Sequence, residues 1–380
     1  MTRIGIIAAG GESKRTGLGE YTTKAALPLR GKSLLGHQLD FLRRSGTTRA
    51  YVIARPEHVQ LLERLLTSED RAFTSFVLSD RPSGWAGEIE RASTFIDDRD
   101  ETILISCDND HAKQTAISLV QEEAVFTFTE WTADQHASTN GPILARVTTA
   151  WGNPTTETWF ERGSAGFLGA FFSGYAIVRG RLLLNTLRGL PAIDGKKEFT
   201  ALLALLARHP LFRAVPYGGL YEDIRDLRAL ALLNAERSTW SEEHVDLGAG
   251  VLLHDNGEVL LTERQDGRGW TPPSGFVDTG ETYAHAAVRE LREEIGIGIT
   301  ERDLRLLGVY LSTGKQGGPA CTVIFHARVG RPALTINAKE AQEARWVTSE
   351  EAEALVIPFG LDGSVRDAFA GRELDTRRRS

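Results

Sequence analysis

Apolar residues recur along the first two thirds of this chain in two alternating rhythms. Short unbroken runs at Ile4–Ala9, Ala50–Ala54, Thr102–Ser106 and Gly174–Val178 read as buried strands. Between and after them, Leu34–Arg44, Pro56–Leu66, Glu198–Arg208 and Leu227–Ala235 carry apolar positions at helical spacing. Such alternation predicts an α/β domain with a mainly parallel sheet and helices on both faces. Near Glu236–Asp246 the pattern turns polar and charged, which places a boundary between a domain at 1–236 and another at 245–380. Beyond it, Gly248–Leu253 and Glu258–Glu263 form two strand patterns joined through Asn256-Gly257, a pair that tolerates positive φ and predicts a hairpin.

Bulk composition narrows the classes without choosing among them. The 380 residues are 41% hydrophobic and 25% charged, as expected for a soluble chain with room for two or three cores. A net charge of −7 offers no general attraction to nucleic acid or anionic lipid. The basic tail Arg377–Arg379 reads as a solvated end. Cys107 and Cys321, remote in sequence, read as free thiols in a reducing compartment. No apolar run reaches membrane-spanning length and the N-terminal run is too short for a signal peptide, so a cytoplasmic protein is expected.

The densest chemistry lies at residues 275–297, GFVDTGETYAHAAVRELREEIGI. From Tyr283 to Glu294 the segment is amphipathic, with Ala284, Ala287, Val288, Leu291 and Ile295 on one face. Glu290, Glu293 and Glu294 stand at i, i+3 and i+4, which sets three carboxylates on an adjacent face. Their mutual repulsion becomes a ligand set if a hard divalent cation binds. Gly275, Glu281, Arg289-Glu290, Glu293-Glu294 and Gly296, at these spacings, resemble the Nudix box. Seven identities at fixed spacing should arise by chance on the order of once in 10⁸ starting points.

The resemblance implies an α/β/α Nudix fold with a mixed sheet. It also implies Mg²⁺ (Mn²⁺ as an alternative) held by Glu290, Glu293 and Glu294 with the Gly275 carbonyl. Glu293 and Glu294 are the catalytic candidates, and Arg289 would pair with Glu281 to fix the loop. The implied reaction is metal-assisted attack of water on a phosphoanhydride. Ser274 stands where the family often has glycine. Glu340 and Glu343 are candidates for a general base or ordinary surface charge, and Trp270 for a base-stacking ring or a core residue.

The N-terminal motifs are individually weaker but follow in order. Ala8-Ala9-Gly10-Gly11 ends a strand in a glycine turn, with Arg15 and Lys24 downstream. Such glycines let backbone N–H groups approach phosphates, and the two cations would neutralise them. Together with Gly84 in Arg81–Gly87, Asp108 after the strand at Thr102–Ser106, Phe172–Ile177, and Asp223 in Tyr221–Leu227, they resemble nucleotidyltransferases. That family includes sugar-phosphate nucleotidylyltransferases and molybdenum-cofactor guanylyltransferases. The resemblance implies a Rossmann-like fold in which Ala8, Ala9, Gly10, Gly11, Arg15, Lys24 and Gly84 bind nucleotide. Arg15 and Lys24 would act in catalysis, and Asp108 and Asp223 would hold metal. Ser13 replaces a glycine common in sugar-type members, and no lysine occurs across Arg146–Arg162, where an acceptor-contacting lysine is often found.

The expected function is therefore bifunctional. One site would transfer a nucleotidyl group from a nucleoside triphosphate to a phosphorylated sugar or related acceptor, releasing pyrophosphate. The other would hydrolyse a nucleoside diphosphate-linked metabolite. No nucleic-acid or membrane partner is expected, and a homodimer is compatible with this reading. The alternatives are a Nudix hydrolase whose N-terminal domain only binds nucleotide, and a ligand-sensing regulator without catalysis.

Overall fold

The computed structural model describes residues 2–11, 13–80, 83–107, 116, 119, 121–130, 143–146, 149–150, 153–154, 159–162, 170–216, 224, 226–235, 245–314 and 317–376. Asp108 and Asp223 lie outside the described residues, as do the boundary segment at 236–244 and Arg377–Arg379. The chain forms two compact units: residues 1–12 with 32–223, and residues 13–31 with 224–380.

The first unit is built on the strand Arg3–Ala8, which pairs in parallel with Arg49–Ala54 on one side and Glu101–Ser106 on the other. Thr74–Leu78 extends the parallel run, while Ala170–Arg179 pairs antiparallel with Glu101–Ser106. These strands alternate little because both faces are covered: Ile4, Ile6, Ile53, Leu104 and Phe126 are buried in one core, and Ile7, Val52, Ile103 and Ile105, on the alternate positions, are buried too. The helix Leu34–Arg44 starts where Ser33 Oγ accepts from the Gly36 N–H, and it buries Leu34, Leu35, Leu39 and Leu42 at helical spacing. The chain leaves Arg3–Ala8 for one side of the sheet and returns on the other. That leaves the carboxyl ends of Arg3–Ala8 and Glu101–Ser106 at a topological switch point, where open α/β sheets bind ligands.

The second unit carries a mixed sheet in the order Trp270–Thr271, Glu258–Arg264, Asp246–Asp255, Pro319–Arg328, Arg305–Thr313. Asp246–Asp255 and Pro319–Arg328 run in parallel; the other pairs are antiparallel. The expected hairpin forms with Asn256 at φ 48° and Gly257 at φ 83°. Leu252, Leu261, Ile324 and Val347 form its core, joined by Trp270, which is 8% exposed and has the Arg345 guanidinium 4.7 Å from its ring centroid. Trp270 is thus a core residue.

Residues 13–31 group with this second unit. Tyr21 meets Phe325 edge-on at 5.1 Å, and its carbonyl accepts from the Thr376 N–H at 2.7 Å and Oγ1 at 2.9 Å. Cys107 and Cys321 are both buried free thiols. No helix among the described residues is long and apolar enough to cross a membrane.

Two histidines of this unit make a testable pair. His254 Nε2 lies 3.0 Å from His326 Nδ1, and His326 Nε2 lies 3.2 Å from the Glu373 carboxylate. Burial holds the His254 pKa below its ordinary value, with His326 and Arg328 adding to the depression and Glu373 and Asp255 opposing it. A depressed folded-state pKa means the unfolded chain binds the proton more readily, so this contribution is complete above about pH 6.5 and is lost as pH falls. Thermal melts should show stability declining from about pH 7 to about pH 5, with a smaller decline in His254→Gln. An equal decline in the variant would assign the effect elsewhere.

Candidate active sites

The box helix Tyr283–Ile295 begins at Thr282, whose side chain accepts from the His285 N–H, and ends at Gly296 in the left-handed region, φ 74°. Its apolar face, Ala284, Ala287, Leu291 and Ile295, is buried, and Glu290 and Glu294 flank it on the adjoining face, buried as well. Arg289 clamps the preceding loop. Its Nε and one terminal nitrogen reach the two Glu281 oxygens at 3.0 and 2.9 Å, and it also donates to the Phe276 carbonyl at 2.9 Å. Glu281 also accepts from the Asp278 N–H at 3.1 Å. The Arg289 hydrogen bonds outweigh the desolvation of Glu281 and hold its carboxyl below the usual range.

The loop that Arg289 clamps brings Gly275 against the helix. A Cβ built on Gly275 would fall inside the Glu290 carboxyl group, so glycine is required for that carboxylate to lie there. The adjacent Ser274 N–H donates to Glu294 Oε1 at 3.1 Å, and Thr262 Oγ1 lies 3.2 Å from Glu294 Oε2.

Glu290 and Glu294 are joined by Glu340, with one oxygen of each within 4.8 Å of the others. Glu340 reaches the site because residues 335–340 return along the helix end. The Thr335 N–H donates to the Ile295 carbonyl and the Asn337 N–H to the Glu294 carbonyl, at 2.9 and 2.8 Å. Asn337 Nδ2 then donates to Glu340 Oε1 at 3.1 Å. Glu293 lies outside this group: it is half exposed, and its carboxylate accepts from Arg289 at 3.2 Å. Glu343 is placed in the strand Ala341–Val347, paired with Glu263.

The acids are electrostatically costly as they stand. Burial pushes Glu294 up to about 7, against the hydrogen bonds from Ser274 and Thr262, and Glu290 and Glu340 add to the rise. Burial also raises Glu290, opposed by Arg289 and reinforced by Glu293 and Glu340. Three converging hard oxygen donors, two of them with raised pKa, fit a divalent cation of the Mg²⁺ class, which would relieve the repulsion.

In the first unit, Ala8 and Ser106 are register partners at the switch point, and the Ala9 N–H donates to the Ile53 carbonyl at 2.9 Å. The Gly10 carbonyl accepts from Arg55 Nε at 3.1 Å, and Gly11 follows. Gly84 caps the helix Trp85–Arg91 at φ 74°, where a Cβ would strike the Lys197 carbonyl. Ser83, beside it, donates its hydroxyl to buried Glu88 at 3.2 Å. Glu88 packs next to Gly10 and carries no signal in the sequence spacing. Arg15 and Lys24 sit in short helical turns at Lys14–Thr16 and Lys24–Ala26, in the segment grouped with the second unit. The Lys24 N–H donates to Ser13 Oγ at 2.7 Å.

Comparison with known proteins matches both halves of the chain. Residues 5–149 match the model of the MobA-like NTP transferase domain, and residues 244–365 that of the NUDIX domain. An m7GpppN-mRNA hydrolase of Xenopus laevis is 39% identical over 74 residues, 18% of this chain and 25% of that protein. An NAD-capped RNA hydrolase of Mycobacterium tuberculosis is 33% identical over 116 residues, 29% of this chain and 35% of that protein. The chain thus spans a quarter to about a third of the length of these curated relatives. A UDP-glucose pyrophosphorylase complexed with UDP-glucose shares the fold, with a TM-score of 0.51, 15% identity, and coverage of 62% of this chain and 98% of that one. This chain therefore joins an N-terminal MobA-like NTP transferase domain to a C-terminal NUDIX domain.

Proposed function

We propose that the C-terminal domain hydrolyses the phosphoanhydride of a nucleoside diphosphate-linked metabolite, and that the N-terminal domain transfers a nucleotidyl group to a phosphorylated, sugar-like acceptor. The observation that carries the first half is the convergence of Glu290, Glu294 and Glu340 beside the loop that Arg289 and Glu281 lock. These three carboxylates, with the Gly275 carbonyl and Glu293 as further candidates, would hold Mg²⁺ or Mn²⁺. When bound, the ion supplies charge neutralisation on the diphosphate and a more acidic water.

Residues of the chain do the rest. Arg289 and Glu281 keep Gly275 and Ser274 against the acids, and the Ser274 N–H and Thr262 hold Glu294 in one orientation. A nearby carboxylate would take a proton from water as the water's oxygen bonds to phosphorus and the bridging P–O bond breaks. The products are a nucleoside monophosphate and the phosphorylated remainder.

For the transferase, the placement of Ala8–Gly11 and the end of the strand before Asp108 at a switch point supports a nucleotide site, with Gly84 capping the helix whose Glu88 lies beside Gly10. An oxygen of the acceptor's phosphate would attack the α-phosphorus of the triphosphate as pyrophosphate departs. Arg15 and Lys24 would balance that charge, and Asp108 and Asp223 would hold the metal. Because both reactions on one compound would be a futile cycle, the two sites are proposed to serve different substrates or a proofreading or salvage relationship.

The test incubates the protein with Mg²⁺, mixed nucleoside triphosphates and sugar phosphates, and identifies products by mass. Asp108→Asn should abolish pyrophosphate release from triphosphate and leave diphosphate hydrolysis intact. Loss of both activities from that change would overturn the independence of the sites. Capped RNA belongs among the hydrolase substrates tested, given the relatives named for it; the net charge of −7 favours a small metabolite.

A further inference from the structure

Beside the Nudix loop a pocket runs from Ser274 and Gly275 to the far strands of the second unit, and the polar side chains at its far end, Asp246 and Ser312, have no part in the hydrolytic machinery. Its floor crosses three neighbouring strands in register. Ala320 of Pro319–Arg328 pairs with Asp246 on one side and Ser312 on the other, so the three share one face of the sheet. The central residue is small, and Gly248 and Gly314 also line the space. The Asp246 carboxylate packs against Gly314, and makes no hydrogen bond or ion pair among the described residues. Ser312 Oγ is buried and likewise lacks a hydrogen-bond partner among them. Phe276, 49% exposed, forms a wall at the mouth next to Gly275.

A polar group buried without a partner is costly in a finished fold, so a ligand that completes Ser312 Oγ and meets the half-buried Asp246 carboxylate on the same floor accounts for both. A carboxylate is an acceptor only, so it selects a ligand edge with two adjacent donors. Among the nucleobases guanine alone offers this, through N1–H and the N2 amino group. Its O6, on the same edge, would accept from a hydroxyl on the other side. Adenine and cytosine present one donor beside an acceptor, and uracil a single N–H between two carbonyls. The Phe276 ring supplies an apolar face for a planar base.

We propose that this pocket is a guanine-recognition subsite, in which Asp246 accepts from N1–H and N2–H₂, Ser312 donates to O6, and the attached diphosphate lies toward Glu290 and Glu294. The proposal rests on the hydrolase reading and makes the preferred substrate a guanosine diphosphate-linked compound.

The test compares GDP-, ADP-, UDP- and CDP-glucose as substrates of the full chain with Mg²⁺. The expected result is kcat/KM at least about tenfold higher for the guanine compound than for any other. Asp246→Asn, which turns one acceptor into a donor facing a donor, should collapse that ratio by about tenfold. Ser312→Ala should lower it in the same direction, and serves if the Asp246 variant fails a thermal-melt check of folding. A higher rate with ADP-, UDP- or CDP-glucose, or a ratio unmoved by both variants, overturns the subsite. If none of the four is cleaved, the hydrolase reading fails separately, and calorimetric titration with GDP decides the pocket. A binding component present in the wild type and lost in Asp246→Asn supports it, and identical isotherms overturn it.

Discussion

Glu294→Gln should lose hydrolysis by about 10³-fold or more while making the metal-free protein more stable. The two effects share one cause. Glu294 is buried beneath Ser274 and Thr262, and its carboxyl titrates at about 7 against an ordinary 4.5. A raised folded-state pKa means the folded protein holds the proton more tightly than the unfolded chain. The stabilising contribution of the neutral form is therefore complete below about pH 4.5 and is lost as pH rises through about 7. At pH 8 the ionised side chain costs about 3 kcal/mol, at roughly 1.4 kcal/mol per pKa unit.

Glutamine keeps the shape and an oxygen for the Ser274 N–H but cannot ionise, so it removes this cost. It also removes the negative charge a divalent cation would neutralise, and several kcal/mol of transition-state stabilisation corresponds to the loss of rate. Denaturant unfolding with and without Mg²⁺ at pH 8, beside kcat/KM, checks both halves. The stability gap should narrow with the ion present, because the wild type alone regains what burial of the charge had cost. A variant that is slower yet no more stable without metal would show that Glu294 is not the strained group described here.

Gly275→Ala should lower hydrolysis by about 10²-fold with far less effect on folding. The added methyl would occupy the space of the Glu290 carboxyl, and the side chain must swing away because the loop is held by the Arg289 bonds to Glu281 and Phe276. Misplacing a catalytic group by about 1 Å costs on the order of 10² in rate. The fold itself loses about 1–3 kcal/mol from overpacking next to a flexible side chain. A double-mutant cycle with Glu290→Gln separates the mechanisms. If glycine acts through Glu290, the double variant should be no slower than Glu290→Gln alone, whereas additive losses would point to the Gly275 carbonyl.

Much of this was legible in the chain. Local rules place the helix Leu34–Arg44, the helix Leu227–Ala235 and the Asn256-Gly257 turn where the pattern of residues puts them. The reason is that capping, amphipathic spacing and positive φ act over a few residues. The Arg289–Glu281 lock was legible for a similar reason: both residues belong to one short motif. Glu340 was not. It lies far along the chain from Glu294, and only backbone bonds from Thr335 and Asn337 to the helix end bring it in. Helical spacing likewise does not reveal that, without an ion, the Glu293 carboxylate pairs with Arg289 and stands apart from Glu290 and Glu294.

The grouping of residues 13–31 with the second unit is of the same kind. Tyr21 is an unremarked aromatic in the sequence, and its partners Phe325 and Thr376 come from the other end of the chain. So the order of the two domains and the box follow from the sequence alone, since each rests on near neighbours. Which acids converge, which glycine must stay bare and which polar groups floor the neighbouring pocket were decided by tertiary structure. Those depend on contacts between segments remote in the chain, whose meeting is set by how the sheets pair and pack and not by any local preference.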